Sequence, residues 1–133
     1  MKRILSFILC AVLLLAITAC SPKGPADLTG NWKQTNGSSD YYMTAKVSGD
    51  TIEVYWVFDG GDTTSLYWAG SFTAPTTADE PYTWTSTNDH AKTSASLMSS
   101  EDDTKDFTYK KGELSFPASA FGVTTTVRMT KNK

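Results

Sequence analysis

From Leu28 onward, apolar side chains return at every second position, and short turn signals interrupt them at close intervals. Successive strand side chains point to opposite faces, so a slip of one residue moves a whole apolar set to the wrong side. Each turn can therefore be tested by the register it imposes. A two-residue Gly49-Asp50 turn pairs Val47 with Ile52, Ala45 with Val54, Met43 with Trp56 and Tyr41 with Phe58, while Tyr42, Thr44, Lys46 and Glu53 fall on the other face. A two-residue Lys111-Gly112 turn similarly pairs Tyr109 with Leu114 and Phe107 with Phe116. Tight turns of this composition suit the twist of antiparallel hairpins.

The same pattern predicts strands near 29–35, 40–48, 51–58, 64–74, 82–88, 105–110, 113–118 and 122–130, with 93–100 either a short strand or a helical turn. No segment sustains a 3.6-residue period long enough to specify a helix. Eight closely spaced strands predict an all-β fold, a single antiparallel barrel or sandwich over residues 28–133. Asp59-Gly60-Gly61-Asp62 is a harder turn. A two-residue Gly-Gly loop would place Trp56 opposite Ser65 and turn Leu66, Trp68 and Phe72 away from the core. A three-residue loop, or a bulge with the same effect, keeps the apolar set together. Every aromatic residue except Phe7 lies in this domain, Trp32, Trp56, Trp68 and Trp84 included. At roughly 150–250 Å² of burial each, such side chains can anchor a small core without covalent staples.

The N-terminus has a different design. Lys2 and Arg3 precede an apolar run from Ile4 to Ile17, which ends in Ile17-Thr18-Ala19-Cys20. A charged start, a short apolar stretch and small residues before a cut site make a secretory signal, and the run falls short of the roughly 20 residues that span a bilayer. With cysteine last, the segment resembles a bacterial lipobox. The resemblance implies cleavage before Cys20, diacylglyceryl (palmitate-bearing) modification of its thiol and attachment to the extracytoplasmic face of the cell membrane. Residues 1–19 are then signal peptide, and 20–27 are the lipidated cysteine and a short tether. At about 3.5 Å per residue, the seven residues after Cys20 reach only about 25 Å. Ser21 stands where an aspartate would signal retention at an inner membrane.

Composition narrows the function classes. All 14 acidic residues lie beyond the signal, whereas Lys2 and Arg3 are two of the 12 basic ones. An acidic domain is a poor match for nucleic acid, and the lipid anchor is the expected contact with membrane. Cys10 is discarded and Cys20 lipidated, so the domain is expected to contain no disulfide and no thiolate metal site. His90 is the single histidine, and no Gly-x-Ser-x-Gly elbow, zinc pattern, phosphate loop or dinucleotide fingerprint accompanies it. Asp59 and Asp62 invite a paired-carboxylate reading but flank Gly-Gly as ordinary turn residues. Glu101-Asp102-Asp103 with Asp106 lacks the spacing of a calcium loop and reads as a solvated stretch. No catalytic residue, metal or cofactor is assigned.

Gly30-Asn31-Trp32 opens the first strand with Gly-x-Trp, which resembles the opening motif of lipocalin- and avidin-like barrels. The resemblance implies a glycine that admits a close backbone, Trp32 as the plug of one barrel end, and a basic residue of the last strand packed over it, for which Arg128 is the candidate. Alternation that turns Val123, Thr125, Val127 and Met129 inward turns Arg128 outward, which leaves Trp32 as plain core the other reading. Glu53-Val54-Tyr55-Trp56-Val57, Leu66-Tyr67-Trp68-Ala69-Gly70 and Thr124-Thr125-Thr126-Val127 resemble uncharacterised small secreted proteins and lipoproteins of Gram-positive bacteria and their phages, which implies a shared fold and no activity. Tyr42, Tyr55 and Tyr67 are expected off the core face, either as an interaction surface or as strand residues suited to a pleated exterior.

The expected function is thus a lipid-anchored, non-catalytic binding module at the cell surface, with an unknown small molecule or protein as partner. The alternative is a solid barrel whose exterior grips a protein, as in phage exclusion. A hydrolase is the weakest reading.

Overall fold

A computed structural model describes residues 24–133. The expected signal peptide, Cys20 and the first part of the expected tether lie outside the described residues.

Eight strands form: β1 (Gly30–Gln34), β2 (Tyr42–Ser48), β3 (Thr51–Phe58), β4 (Thr63–Ser71), β5 (Tyr82–Thr87), β6 (Thr104–Lys110), β7 (Glu113–Ala120) and β8 (Val123–Lys131). A single helical turn, α1 (His90–Thr93), stands where the sequence left a strand or a helical turn open. The strands make one antiparallel sheet in the order β4-β3-β2-β1-β8-β7-β6-β5. Every strand lies beside its sequence neighbour except at one seam, and pairing of β1 with β8 curls the sheet into a nearly closed barrel. The all-β, eight-stranded architecture is as the period predicts.

Both hairpin registers hold. Val47 faces Ile52, Ala45 faces Val54 and Met43 faces Trp56 across β2 and β3, and Tyr109 faces Leu114 across β6 and β7. At the Asp59–Asp62 turn the three-residue loop is corrected, and the bulge with the same effect is what forms. Phe58 pairs with Thr63, so four residues make the loop, and Trp56 lies opposite Ser65. Parity is instead restored inside β4. Tyr55 pairs with Leu66 and Val54 with Trp68, leaving Tyr67 as the extra residue of a bulge. A bulge turns neighbouring side chains toward the same face, and Tyr67 and Trp68 are both buried.

The barrel interior is solid. Trp32, Trp68, Tyr67, Phe107, Phe116, Met43, Ile52, Leu114 and Met129 are fully buried and share one core with Trp84 and Phe72. Aromatic contacts run unbroken along it, from Tyr41 through Phe58, Trp56, Tyr67, Phe116 and Phe107 to Trp84.

The seam lies between β4 and β5, which touch through the Gly70–Asn88 bridge. A Cβ at position 70 would collide with Ser86 Oγ and come within 2.5 Å of the Thr87 carbonyl, so only glycine lets the strands meet there. The rest of the β4 edge is covered by the segment after β5. Asp89 N–H donates to the Ala69 carbonyl and Ser100 N–H to that of Tyr67, both at 2.8 Å, and Ser96 Oγ donates to Leu66 O at 2.7 Å. Buried Asn88 holds this segment closed: its amide donates to the carbonyls of Ser100 and Asp102, and its oxygen accepts from Thr93 Oγ1. An unpaired strand edge is thereby protected. No helix among the described residues is long and apolar enough to cross a membrane.

Candidate functional site

The up-and-down topology gives the barrel two different ends. One gathers the turns at 49–50, 72–81 and 111–112, the C-terminus, and residues 24–29 leading into β1. The other gathers the turns at 35–41, 59–62, 88–103 and 121–122.

The first end is closed. Trp32 is 1 % exposed, and its indole N–H donates to the Leu28 carbonyl at 3.0 Å. The basic residue over Trp32 is Lys131, not Arg128. Trp32 and Lys131 are register partners, and the ammonium lies 5.5 Å from the ring centroid while donating to the Asp27 carbonyl. Lys131 methylenes lie within ordinary contact distance of where a Cβ on Gly30 would stand, and the positive φ of 134° at Gly30 favours glycine there. Arg128 points out of the barrel, as strand alternation requires, and pairs with Glu113 at 2.7 Å. A cleft of about 470 Å³ lies beside this end, between residues 24–26 and the 75–82 loop.

The tyrosines divide. Tyr42 is half-buried on the exterior beneath the Lys33 ammonium, 4.4 Å from the ring centroid. Tyr55 is also half-buried outside, donating to Glu53 Oε2 at 2.7 Å, and Glu53 accepts from Lys92 at 2.7 Å. Partial burial and then the bond to Glu53 push the Tyr55 phenol up to about 12. The Lys92 and Tyr55 hydrogen bonds hold the Glu53 carboxyl below its ordinary range. Tyr67 departs from expectation: the bulge takes it into the core at 1 % exposure, and it can serve no surface. Beside it lies buried Lys105, whose ammonium meets Asp102 at 3.2 Å and the Pro117 carbonyl at 3.3 Å. The same ammonium stands 5.3 Å from the ring centroids of Tyr67 and of Trp68. A buried cation needs this kind of surrounding.

The remaining residues weighed from sequence do not converge. Asp59 and Asp62 stand at the two ends of one turn, joined by the Asp62 N–H to Asp59 O bond. His90 Nε2 meets Asp103 Oδ1 at 2.9 Å on the open surface, and Asp102 is engaged with Ser100 and Lys105. Among the described residues, no group of three or more His, Cys, Asp or Glu side chains is placed to hold a metal ion.

The second end is open and apolar, and the sequence reading missed it. Leu97, Phe121, Val123 and Tyr41 are the exposed large hydrophobic side chains of the described residues, and all four belong to this rim. Two shallow recesses meet here, with Trp56 and Ala120 common to both. One of about 250 Å³ runs between Leu97 and Phe121, and one of about 210 Å³ lies between Tyr41 and Val123. Trp56 is held on the groove floor by its indole bond to the Met98 carbonyl, 3.3 Å. Phe121 is 96 % exposed and sits in left-handed backbone, φ 52°, a conformation bulky side chains rarely adopt. The available signal was Phe-Gly at a hairpin turn, where an aromatic with φ above zero is out of place. No family model, curated protein or solved structure matches this chain.

Proposed function

We propose that this chain is a lipid-anchored extracytoplasmic protein whose barrel is a non-catalytic binding module at the cell surface, engaging its partner with the exterior. The observation that carries this reading is the pairing of a filled interior with an exposed apolar groove at one end. An eight-stranded barrel can either enclose one small ligand or be filled by its own side chains, and the fully buried Trp32, Tyr67, Trp68, Phe107 and Phe116 favour the second. Apolar rim residues are then the natural means of contact, because exposed hydrophobic patches mark interaction sites.

Anchoring is supported by Lys2-Arg3, the apolar run and Cys20. One acyl chain holds a protein only reversibly, so durable attachment needs the two or three chains such a cysteine carries. Residues 24–29 reach the barrel at the end opposite the groove, which would direct the groove away from the bilayer. The test is palmitate labelling and membrane fractionation of the wild type beside Cys20→Ala. Labelled, membrane-bound wild type and an unlabelled, released or unprocessed variant are expected. Equal fractionation and mass for the two would refute the anchor. A broad metabolite screen by thermal shift on the soluble domain addresses the interior: a strong small-molecule hit would refute the solid-barrel reading.

A further inference from the structure

We propose that the groove at the open end docks a cationic protein surface, its apolar floor taking the partner's apolar side chains and its carboxylates meeting the partner's lysines and arginines. The proposal rests on the binding-module reading and adds the site and the partner's chemistry.

The charge around the groove carries it. The four chain segments that form this end, residues 35–41, 59–62, 88–103 and 121–122, contain Asp40, Asp59, Asp62, Asp89, Glu101, Asp102 and Asp103 against a single lysine, Lys92, and no arginine, and Lys92 is paired with Glu53. Asp102 is taken by Lys105 and Asp103 by His90. Asp40, Asp59, Asp62 and Glu101 are exposed, and none of them belongs to an ion pair among the described residues. The groove therefore presents Trp56 with Leu97, Phe121, Tyr41 and Val123 on an end whose loops carry unpaired carboxylates, with the Lys33 ammonium over Tyr42 as the cation beside one recess. Interfaces are built in this manner, apolar and aromatic at the centre and charged at the rim.

That acidic excess selects among occupants. Two copies meeting end to end would bring like charges together, and an anionic lipid surface would be repelled in the same way. Phe121 and Leu97 protrude instead of packing, so a partner with a complementary recess would bury them from near-complete exposure. Aromatics so placed are common centres of binding energy.

The test uses the full-length protein in its own cells, with photoreactive benzoylphenylalanine in place of Phe121, of Leu97, or of Thr77 at the closed end. The expected result is one discrete protein adduct from positions 121 and 97 and none from 77, on a partner whose crosslinked peptide carries Lys or Arg beside apolar residues. With that partner purified, affinity should fall at least ten-fold for Phe121→Ser/Leu97→Ser, and at least ten-fold for Asp40→Asn/Asp59→Asn/Asp62→Asn at low salt. Circular dichroism should show both variants folded, since every substituted side chain is exposed. Adducts to a second copy of this chain, adducts to lipid, or binding of the soluble domain to phosphatidylglycerol vesicles would overturn the proposal. So would affinity indifferent to salt and to the Asn substitutions. Adducts from 77 alone would overturn it while leaving a binding module in place, and adducts from none of the positions would overturn both.

Discussion

Lys131 lies across Trp32, its ammonium 5.5 Å from the ring centroid and its methylenes against Gly30. Three positions thereby close one end of the barrel: a glycine without a side chain, a buried indole and a cation from the last strand. The long stem shields the ring while the charge stays in reach of water and of the Asp27 carbonyl.

Lys131→Met keeps most of the stem and removes the charge, and should cost about 0.5–1 kcal/mol. Arg128→Ala breaks only the exposed pair with Glu113 and should stay within about 0.5 kcal/mol of wild type. Urea denaturation of the two variants measures the contrast. A larger loss for the arginine would contradict the assignment of Lys131.

Gly70→Ala forces a methyl group into Ser86 Oγ and the backbone at Thr87. Neither strand can yield without opening the seam, so a loss of about 2–3 kcal/mol is expected. The accompanying sign is faster hydrogen exchange at the Asp89 and Ser100 amides, which bond to the β4 edge. A variant as stable and as protected as wild type would show that β4 and β5 do not meet at this glycine.

Asn88→Ala removes three hydrogen bonds from a buried position and leaves the carbonyls of Ser100 and Asp102 without this donor. About 2–3 kcal/mol should be lost. Because the 89–100 segment carries Leu97 and accepts the Trp56 indole bond at Met98, tryptophan fluorescence should change in the folded variant. An unchanged spectrum would separate Asn88 from the groove.

Tyr55 and Glu53 give the fold opposite pH responses. The phenol, raised to about 12, favours the folded state fully below its ordinary value, and this contribution is lost as pH climbs through about 12. The Glu53 carboxyl is lowered, chiefly by its bond to Lys92. Its contribution is present above the ordinary carboxylate range and fades as pH falls through the depressed value. Phenolate absorbance should reveal a late-titrating tyrosine that Tyr55→Phe removes, and Lys92→Met should raise the Glu53 pKa, read by NMR. A Tyr55→Phe protein with the same late titration would assign it elsewhere.

Strand positions, the two tight hairpins and the presence of one aromatic core were legible in the sequence, because alternation and turn chemistry act between residues near in the chain. Met43 facing Trp56 and Tyr109 facing Leu114 follow from parity and loop length alone. The bulge at Tyr67 was not legible. Parity announced that an extra residue was needed somewhere along β3 and β4, but its placement depends on which side chain the far wall, Phe116 above all, can accept. For the same reason, Lys131 rather than Arg128 reaches Trp32, since the curl of β8 beside β1 brings residue 131 level with residue 32. The candidate groove is more distant still from local pattern. Tyr41, Trp56, Leu97 and Phe121 lie on separate segments, and closure of the barrel brings them to one rim. Sequence by itself determined where the eight strands run and, outside the bulge at Tyr67, which face is core; the tertiary structure decided what converges at each end, because convergence of separate loops is set by the closure of the whole sheet.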